Sequence, residues 1–302
     1  MRSIRRGAEA GPRPAGAYFS RSVHAERSPV YKLIASDLDE TLLDDDHHVP
    51  ARVREAVAAA RELGVSFVPA TGRPAGSVGV TLDELGLSGS ADDYVLSFNG
   101  GCLTRNSSPA PITSCSLPWE RARQIYAAGV HYGVTMHVNT LDPVYLYNYI
   151  PEERAYIEGR MNIVETDEPT LDFLAGQTIV KVIYMSLDMS YLQRIEREMA
   201  EAGLSDGLDV YYSGNRYLEF NAPGVNKGAG LLALAERLGI APEETIAVGD
   251  NSNDISMIRA AGLGCAVANA TDEAKAAADY VCDADNNAGA VAEVIEKFVL
   301  GR

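Results

Sequence analysis

Cysteine is scarce in this chain, and the four cysteines are scattered at Cys102, Cys115, Cys265 and Cys282. Zinc sites built from thiolates pair their cysteines a few residues apart. The spacing found here does not fit such a site. We expect reduced thiols, most of them packed in the interior, and a cytoplasmic protein.

Long apolar runs are also absent, because no stretch approaches the roughly 20 residues that a membrane helix needs. Basic residues are few, with 26 Lys and Arg against 42 Asp and Glu and a formal net charge of −16. Such an acidic surface repels nucleic acid and anionic membranes. We therefore expect neither as a partner.

Residues 1–29 lack the apolar centre of a secretory signal and any helical periodicity. Their Arg-rich composition is similar to that of an organellar transit peptide, but Pro12 and Pro14 disfavour an amphipathic helix. We expect a disordered extension, or residues upstream of the true start. The pattern of a first core strand begins only at Tyr31.

From Tyr31 the sequence alternates between strand and helix patterns. The apolar run YKLIASD ends in an acid, Pro50 opens a helical pattern that Gly64 closes, and the strand-like run VSFVPAT follows at once. A strand, a helix and a strand in this order form a βαβ unit, which places parallel strands between helices. The sequence therefore predicts an α/β fold with a doubly wound, Rossmann-like parallel sheet.

The pattern changes after Pro118, where several segments show the polar alternation of half-exposed antiparallel strands. Strong helix and buried-strand patterns return with GVNKGAGLLALAERLG and TIAVGD. We therefore predict an inserted α+β domain at residues 117–212. Residues 30–116 and 213–302 would form the core that it interrupts.

Two carboxylates follow the first predicted strand in the motif DLDETLL. Strand alternation points Asp37 and Asp39 the same way, at the sheet edge where α/β proteins bind ligands. Two such carboxylates repel each other unless a cation lies between them or one is protonated. Both arrangements serve phosphoryl chemistry, but an acidic turn would give the same pattern.

The motif ATGR follows the second predicted strand. Thr71 offers a hydroxyl, Gly72 a backbone N–H and Arg73 a guanidinium suited to carboxylate or phosphate. Pro74 can then begin a helix whose positive end strengthens an anion site. On its own, this motif is equally typical of a glycine turn.

Two further motifs lie beyond the insert. Lys227 stands near the start of a predicted helix, and GDNSND follows the buried strand TIAVG. Asp250 and Asp254 suit a hard cation, and Asn253 supplies an amide. Each motif alone fits a solvated lysine or a helix cap, but all four in this order at strand ends favour one site.

In series, DLDETLL, ATGR, NKG and GDNSND resemble the motifs of the haloacid dehalogenase superfamily. The large insert, FNG at Asn99 and RYLEFNAPGVNKG resemble its Cof-type branch of sugar-phosphate phosphatases. The resemblance implies that Asp37 is the nucleophile and that Asp39 exchanges protons with the leaving group and water. It also implies Mg²⁺ bound by Asp37, the carbonyl of Asp39 and Asp250, with Asp254 steadying the site.

The same resemblance implies that Thr71, Gly72, Lys227 and Asn253 hold the phosphate, with Arg73 as a further binding candidate. The insert would be a cap that closes over the site and selects a small phosphorylated metabolite. Polar and aromatic residues of the insert are specificity candidates, namely His137, Asn139, Tyr145, Tyr147 and Tyr212.

The expected function is a Mg²⁺-dependent phosphatase. A phosphosugar mutase with the same aspartate pair is the main alternative, and a phospho-switch receiver domain is a remote one. The sequence leaves the exact substrate and the oligomeric state open.

Overall fold

The structure is a computed structural model that describes residues 31–159 and 161–302. The extension expected at residues 1–29 lies outside the described residues. No described helix combines the length and the apolar character that a membrane crossing requires.

The secondary structure falls into three consecutive parts. The first part holds β1 (Leu33–Ser36), α1 (Ala51–Glu62), β2 (Ser66–Pro69), α2 (Gly79–Glu84), β3 (Tyr94–Ser97), β4 (Cys102–Arg105) and β5 (Pro111–Ser114). The second holds α3 (Trp119–Tyr132), β6 (Thr135–Asn139), β7 (Val144–Tyr147), α4 (Pro151–Ile157), β8 (Ile163–Thr166), β9 (Lys181–Met185), α5 (Met189–Glu201), β10 (Asp209–Ser213) and β11 (Tyr217–Asn221). The third holds α6 (Lys227–Leu238), β12 (Thr245–Gly249), α7 (Ile255–Ala260), β13 (Leu263–Ala266), α8 (Asp272–Ala277), β14 (Tyr280–Val281) and α9 (Ala290–Phe298).

The core is a parallel sheet with the strand order β14-β13-β12-β1-β2. On β1, Ile34 packs with residues of α1 and α9, whereas Leu33 and Ala35 pack with residues of α6 and α7. Successive side chains of a strand point to opposite faces, so helices cover both faces of this sheet. The predicted doubly wound α/β core is confirmed.

Helix ends in the core follow local sequence signals. The helix α1 begins after Pro50 and ends before Gly64, which has a φ of 82°. The side chain of Asn226 accepts a hydrogen bond of 2.8 Å from the backbone N–H of Ala229 and so caps α6. This cap makes Lys227 the first residue of α6.

The second part of the chain forms a separate domain, the cap, which we define as Trp119–Asn221. Its six-stranded sheet has the order β10-β11-β9-β6-β7-β8, with α3 and α5 packed on one face. The predicted boundary at Tyr212 is too early, because β11 pairs with both β9 and β10. That pairing joins distant parts of the chain, and the local pattern of RYLEFN does not reveal it.

A small antiparallel sheet of β3, β4 and β5 extends the edge of the core next to β2. The backbone N–H of Thr71 donates a 2.8 Å hydrogen bond to the carbonyl of Leu96 and connects the two sheets. The strand pattern in YVLSFNG thus corresponds to β3, whereas β4 and β5 were not predicted. This sheet leads the chain into the cap.

Candidate active site

Three adjacent parallel strands of the core end at one edge, and the predicted motifs lie there. Asp37 follows β1, Asp250 follows β12, and Thr71 lies two residues beyond β2. The fourth motif reaches the same place through Lys227, whose ammonium contacts Asp37 Oδ1. Residues from all four motifs therefore meet at the carboxyl edge of the sheet, where α/β folds bind ligands.

A buried lysine connects two of these carboxylates. Lys227 Nζ donates to Asp37 Oδ1 and, at 2.6 Å, to Asp254 Oδ1, and Lys227 and Asp254 are both fully buried. Burial lowers the pKa of Lys227, but Asp254 and Asp37 outweigh this effect and raise it. The lysine is therefore charged and fixes the orientation of Asp37.

Asp254 shapes the loop after β12 with its second oxygen. Asp254 Oδ2 accepts hydrogen bonds from the backbone N–H groups of Asp250 (3.0 Å) and Asn251 (3.1 Å). A Cβ atom at Gly249 would lie 2.4 Å from Asp254 Cβ, so only glycine fits at this position. Both oxygens of Asp254 are thus engaged by the protein.

Thr41 orients Asp250, a role that the sequence alone did not predict. Its hydroxyl donates a 2.8 Å hydrogen bond to Asp250 Oδ1. Burial and the neighbouring Asp254 raise the pKa of Asp250 to about 7, while the bond from Thr41 opposes this shift. The motif DLDETLL contains the signal for this role. Its threonine stands four residues after Asp37, where the chain brings the hydroxyl back to the same sheet edge.

Three buried carboxylates form a group that suits a metal ion. Asp37, Asp250 and Asp254 each offer an oxygen, and these atoms lie within 4.8 Å of one another. Burial raises the pKa of Asp37 well above its usual range, against the attraction of Lys227. One lysine does not balance three carboxylates, so a divalent cation with a preference for oxygen ligands fits this site.

Arg73 contacts the second predicted catalytic aspartate. Its Nε donates a 2.8 Å hydrogen bond to Asp39 Oδ2, and its Nη2 contacts Asp39 Oδ1. The Asp39 side chain is 40% exposed, in contrast to buried Asp37. The structure thus turns Asp39 towards Arg73 and the cavity, and away from the buried carboxylate group.

The predicted phosphate-binding residues Thr71, Gly72 and Asn253 lie near Asp37 and Asp39. The hydroxyl oxygen of Thr71 accepts a 3.1 Å hydrogen bond from the Arg73 backbone N–H. Asn253 Nδ2 donates a 3.3 Å hydrogen bond to Asn99 Oδ1. A Cβ atom at Gly72 would lie 3.1 Å from that same oxygen, so Asn99 lies close to both Gly72 and Asn253. The sequence did not predict a role for Asn99 at the site, although asparagine before glycine is typical of the left-handed φ of 55° that it adopts.

A cavity of about 200 Å³ lies between this edge and the cap. Core residues of all three strand-end motifs line it, namely Asp37, Asp39, Thr71, Gly72, Arg73, Asp250 and Asn253. Lys227 is buried beneath Asp37. From the cap, His137 and Asn139 line the cavity as specificity candidates should.

The three tyrosines that are predicted as specificity candidates do not line this cavity. Tyr145 and Tyr147 pack with the helix-covered face of the cap sheet, and Tyr212 donates a 2.6 Å hydrogen bond to Glu196. The reason is strand alternation, which turns these side chains away from the cavity. They pack within the cap and do not line the cavity.

Comparisons with known proteins show the family to which this chain is related. Residues 34–295 match the family model described as haloacid dehalogenase-like hydrolase. The chain is 30% identical to the 5-amino-6-(5-phospho-D-ribitylamino)uracil phosphatase YcsE of Bacillus subtilis, over 89% of this chain and 96% of that protein. A crystal structure of a haloacid dehalogenase-like hydrolase from Bacteroides thetaiotaomicron is 31% identical, with a TM-score of 0.77, over 88% of this chain and 99% of that one.

The chain therefore belongs to the haloacid dehalogenase-like hydrolase family. The Bacillus relative YxeH matches with 31% identity over 90% of this chain and its own full length, so the similarity spans core and cap together. The sequence-based prediction of a phosphatase of this family is confirmed at the level of the enzyme class, and the receiver-domain alternative is removed.

Proposed function

We propose that this chain hydrolyses small phosphomonoesters through a phosphoaspartate on Asp37, with Mg²⁺ as cofactor. The observation that carries the proposal is the placement of Asp37. Its carboxylate lies at the floor of the cavity, in contact with Lys227 and beside Asp250, while Asp39 lies in the wall. A nucleophile and a proton donor would thus line one cavity.

In the first step, Asp37 attacks the phosphorus atom and forms an O–P bond. The bond between phosphorus and the leaving oxygen breaks, and Asp39 gives that oxygen a proton. Asp39 suits this role because it is more exposed than Asp37 and reaches the cavity. Arg73 contacts both carboxylate oxygens in this structure; to transfer the proton, Asp39 would keep one oxygen on Arg73 and turn the other, protonated oxygen to the leaving group.

In the second step, Asp39 removes a proton from water, and the water oxygen attacks phosphorus. The bond between Asp37 and phosphorus breaks, which releases inorganic phosphate and restores the carboxylate. The phosphate oxygens are held by Thr71, Gly72 and Asn253, which line the cavity. Lys227 is fully buried and does not line the cavity, so it would act on the phosphate through Asp37, whose carboxylate it contacts and whose charge it balances.

Asp37 and Asp250, with the backbone carbonyl of Asp39, would hold Mg²⁺. The ion supplies positive charge that lets the anionic phosphate approach the carboxylates. Asp254 would not bind the ion directly, because Lys227 and two backbone N–H groups already occupy its oxygens. It would instead hold the groups around the ion in place.

The proposed substrates are sugar phosphates or similar small metabolites. The name of the relative YcsE describes a phosphorylated ribityl compound, and the cavity of about 200 Å³ suits a leaving group of modest size. A cytoplasmic location belongs to the same proposal.

The test is phosphate release from p-nitrophenyl phosphate and from a panel of sugar phosphates. EDTA should abolish turnover, and Mg²⁺ should restore it. Asp37→Asn should lose activity while the protein remains folded, whereas Asp46→Asn, an exposed change in the same loop, should not. Full activity in metal-free buffer would refute the role of the cation. Phosphorylated isomers in place of inorganic phosphate would support the mutase alternative.

A further inference from the structure

The cavity-facing side of the cap sheet carries polar side chains that are almost fully buried. Asn139 on β6 is 3% exposed, Lys181 on β9 is 2% exposed, and Glu219 on β11 is 5% exposed. All three line the cavity. Buried polar groups normally have hydrogen-bond partners, so each of these side chains requires an explanation.

Lys181 and Glu219 satisfy each other. Lys181 Nζ donates to Glu219 Oε2 at 2.6 Å and to the backbone carbonyl of Gly72 at 3.1 Å. The opposite charges compensate each other. The contact with Gly72 places this part of the cap directly against the proposed phosphate-binding loop.

Asn139 differs from this pair. It lies opposite Lys181 in the register of β6 and β9, so the two residues are neighbours on the sheet. Its amide Nδ2 is fully buried and has no hydrogen-bond partner among residues 31–159 and 161–302. A buried donor without an acceptor destabilises the fold. Because Asn139 lines the cavity, a small turn of its side chain on binding would bring this N–H to a ligand oxygen, which would supply the acceptor.

We propose that Asn139 is a specificity-determining residue that donates a hydrogen bond to a hydroxyl oxygen of the leaving group. The inference rests on the proposed phosphatase function and names a contact for its substrate. The ligand should be a hydroxyl-rich monophosphate and not a bisphosphate. Among the described cap residues that line the cavity, Lys181 is the one lysine or arginine, and Glu219 already balances its charge.

The experiment compares kcat/KM for hydroxyl-rich esters (hexose, pentose and polyol phosphates) with kcat/KM for p-nitrophenyl phosphate. Asn139→Leu removes the amide at similar volume, and Asn139→Asp replaces the donor with an acceptor. We take the ratio of kcat/KM for the best hydroxyl-rich ester to kcat/KM for p-nitrophenyl phosphate. Either change should lower this ratio by roughly 10- to 100-fold. Thermal unfolding of each variant verifies that it is folded.

Asn221→Leu is the matched control. Asn221 lies in the same row of the cap sheet, opposite Lys181, and is 1% exposed, but its amide donates to the carbonyl of Asp209 and it does not line the cavity. This variant should keep the wild-type ratio. A wild-type ratio in folded Asn139 variants, or an equal change in Asn221→Leu, would overturn the inference. So would a wild type that hydrolyses p-nitrophenyl phosphate but prefers no hydroxyl-rich ester, whereas inactivity on every ester would refute the proposed function itself.

Discussion

Arg73 holds Asp39 through both oxygens of its carboxylate, with Nε at 2.8 Å from Oδ2 and Nη2 in contact with Oδ1. The planar guanidinium matches the carboxylate, so this geometry fixes the direction in which Asp39 points. The sequence predicts Arg73 only as a further binding candidate for the phosphate. In this structure its partner is the proposed acid and base.

Arg73→Gln should lower kcat by roughly 10- to 100-fold, because Asp39 loses the partner that aims it at the leaving oxygen. Steady-state kinetics with p-nitrophenyl phosphate measure the effect. The matched control is Arg61→Gln, which breaks another Arg–Asp pair, to Asp93 at 2.5 Å, outside the cavity. Equal loss of kcat in both variants would mean that Arg73 acts only through stability.

Lys227→Met should lower the free energy of unfolding by about 3–5 kcal/mol, because it leaves Asp37 and Asp254 buried without their common cation. Mg²⁺ should restore part of the lost free energy of unfolding, since the ion would supply positive charge near the carboxylates in place of the ammonium. Thermal unfolding with EDTA and with Mg²⁺ gives both values. Lys32→Met is the control, because its pair with Glu244 is 49% exposed on the lysine side and contributes little. A variant as stable as wild type in EDTA would contradict the account.

Glu219→Gln should destabilise the protein at neutral pH, and the loss should shrink in acid. Burial raises the pKa of Glu219, but the Lys181 ammonium and the Ser213 hydroxyl outweigh it and lower the pKa below 4.5. The stability contributed by the charged form is therefore complete above the ordinary pKa and disappears as the pH falls through the lowered one.

Denaturant unfolding measures the difference in free energy of unfolding between wild type and variant. The measurements should run from about pH 3 to about pH 7, which spans the range in which carboxylates titrate. Glu120→Gln, which removes a carboxylate with 72% side-chain exposure paired with Arg123, should show little difference at any pH. A gap between wild type and Glu219→Gln that stays constant on acidification would show that the charge of Glu219 is not responsible.

The strand-end residues were predictable because their signal is local. An apolar run followed by an acid, as at Asp37 and Asp250, indicates a buried strand that ends at a polar edge. Parallel pairing of β1 with β12 and β2 then brings these ends together. The structure places the predicted residues at this edge, while their chemical roles stay proposals.

The inner face of the cap was harder to predict, because its side chains alternate like those of a half-exposed strand. Lys181 and Glu219 stand at positions that the pattern assigns to solvent, yet both are buried and contact Gly72 and Asn99 of the core. Their environment depends on a contact between domains that strand alternation does not encode. Two other errors arise within the cap itself: β11 joins the cap by pairing with the distant strand β9, and the sequence does not show which face of β7 the cap helices cover, so Tyr145 was a specificity candidate.

The most direct test of the central claim is to trap the phosphate on Asp37. Substrate labelled in the phosphoryl group should be mixed with wild-type enzyme and Mg²⁺, quenched in acid during turnover, and the peptides analysed by mass spectrometry after borohydride reduction. The account predicts an acyl phosphate that hydroxylamine releases and a reduced residue at Asp37, both missing from Asp37→Asn. Rapid turnover with label on another residue, or an Asp37→Asn variant with near-normal activity, would contradict it.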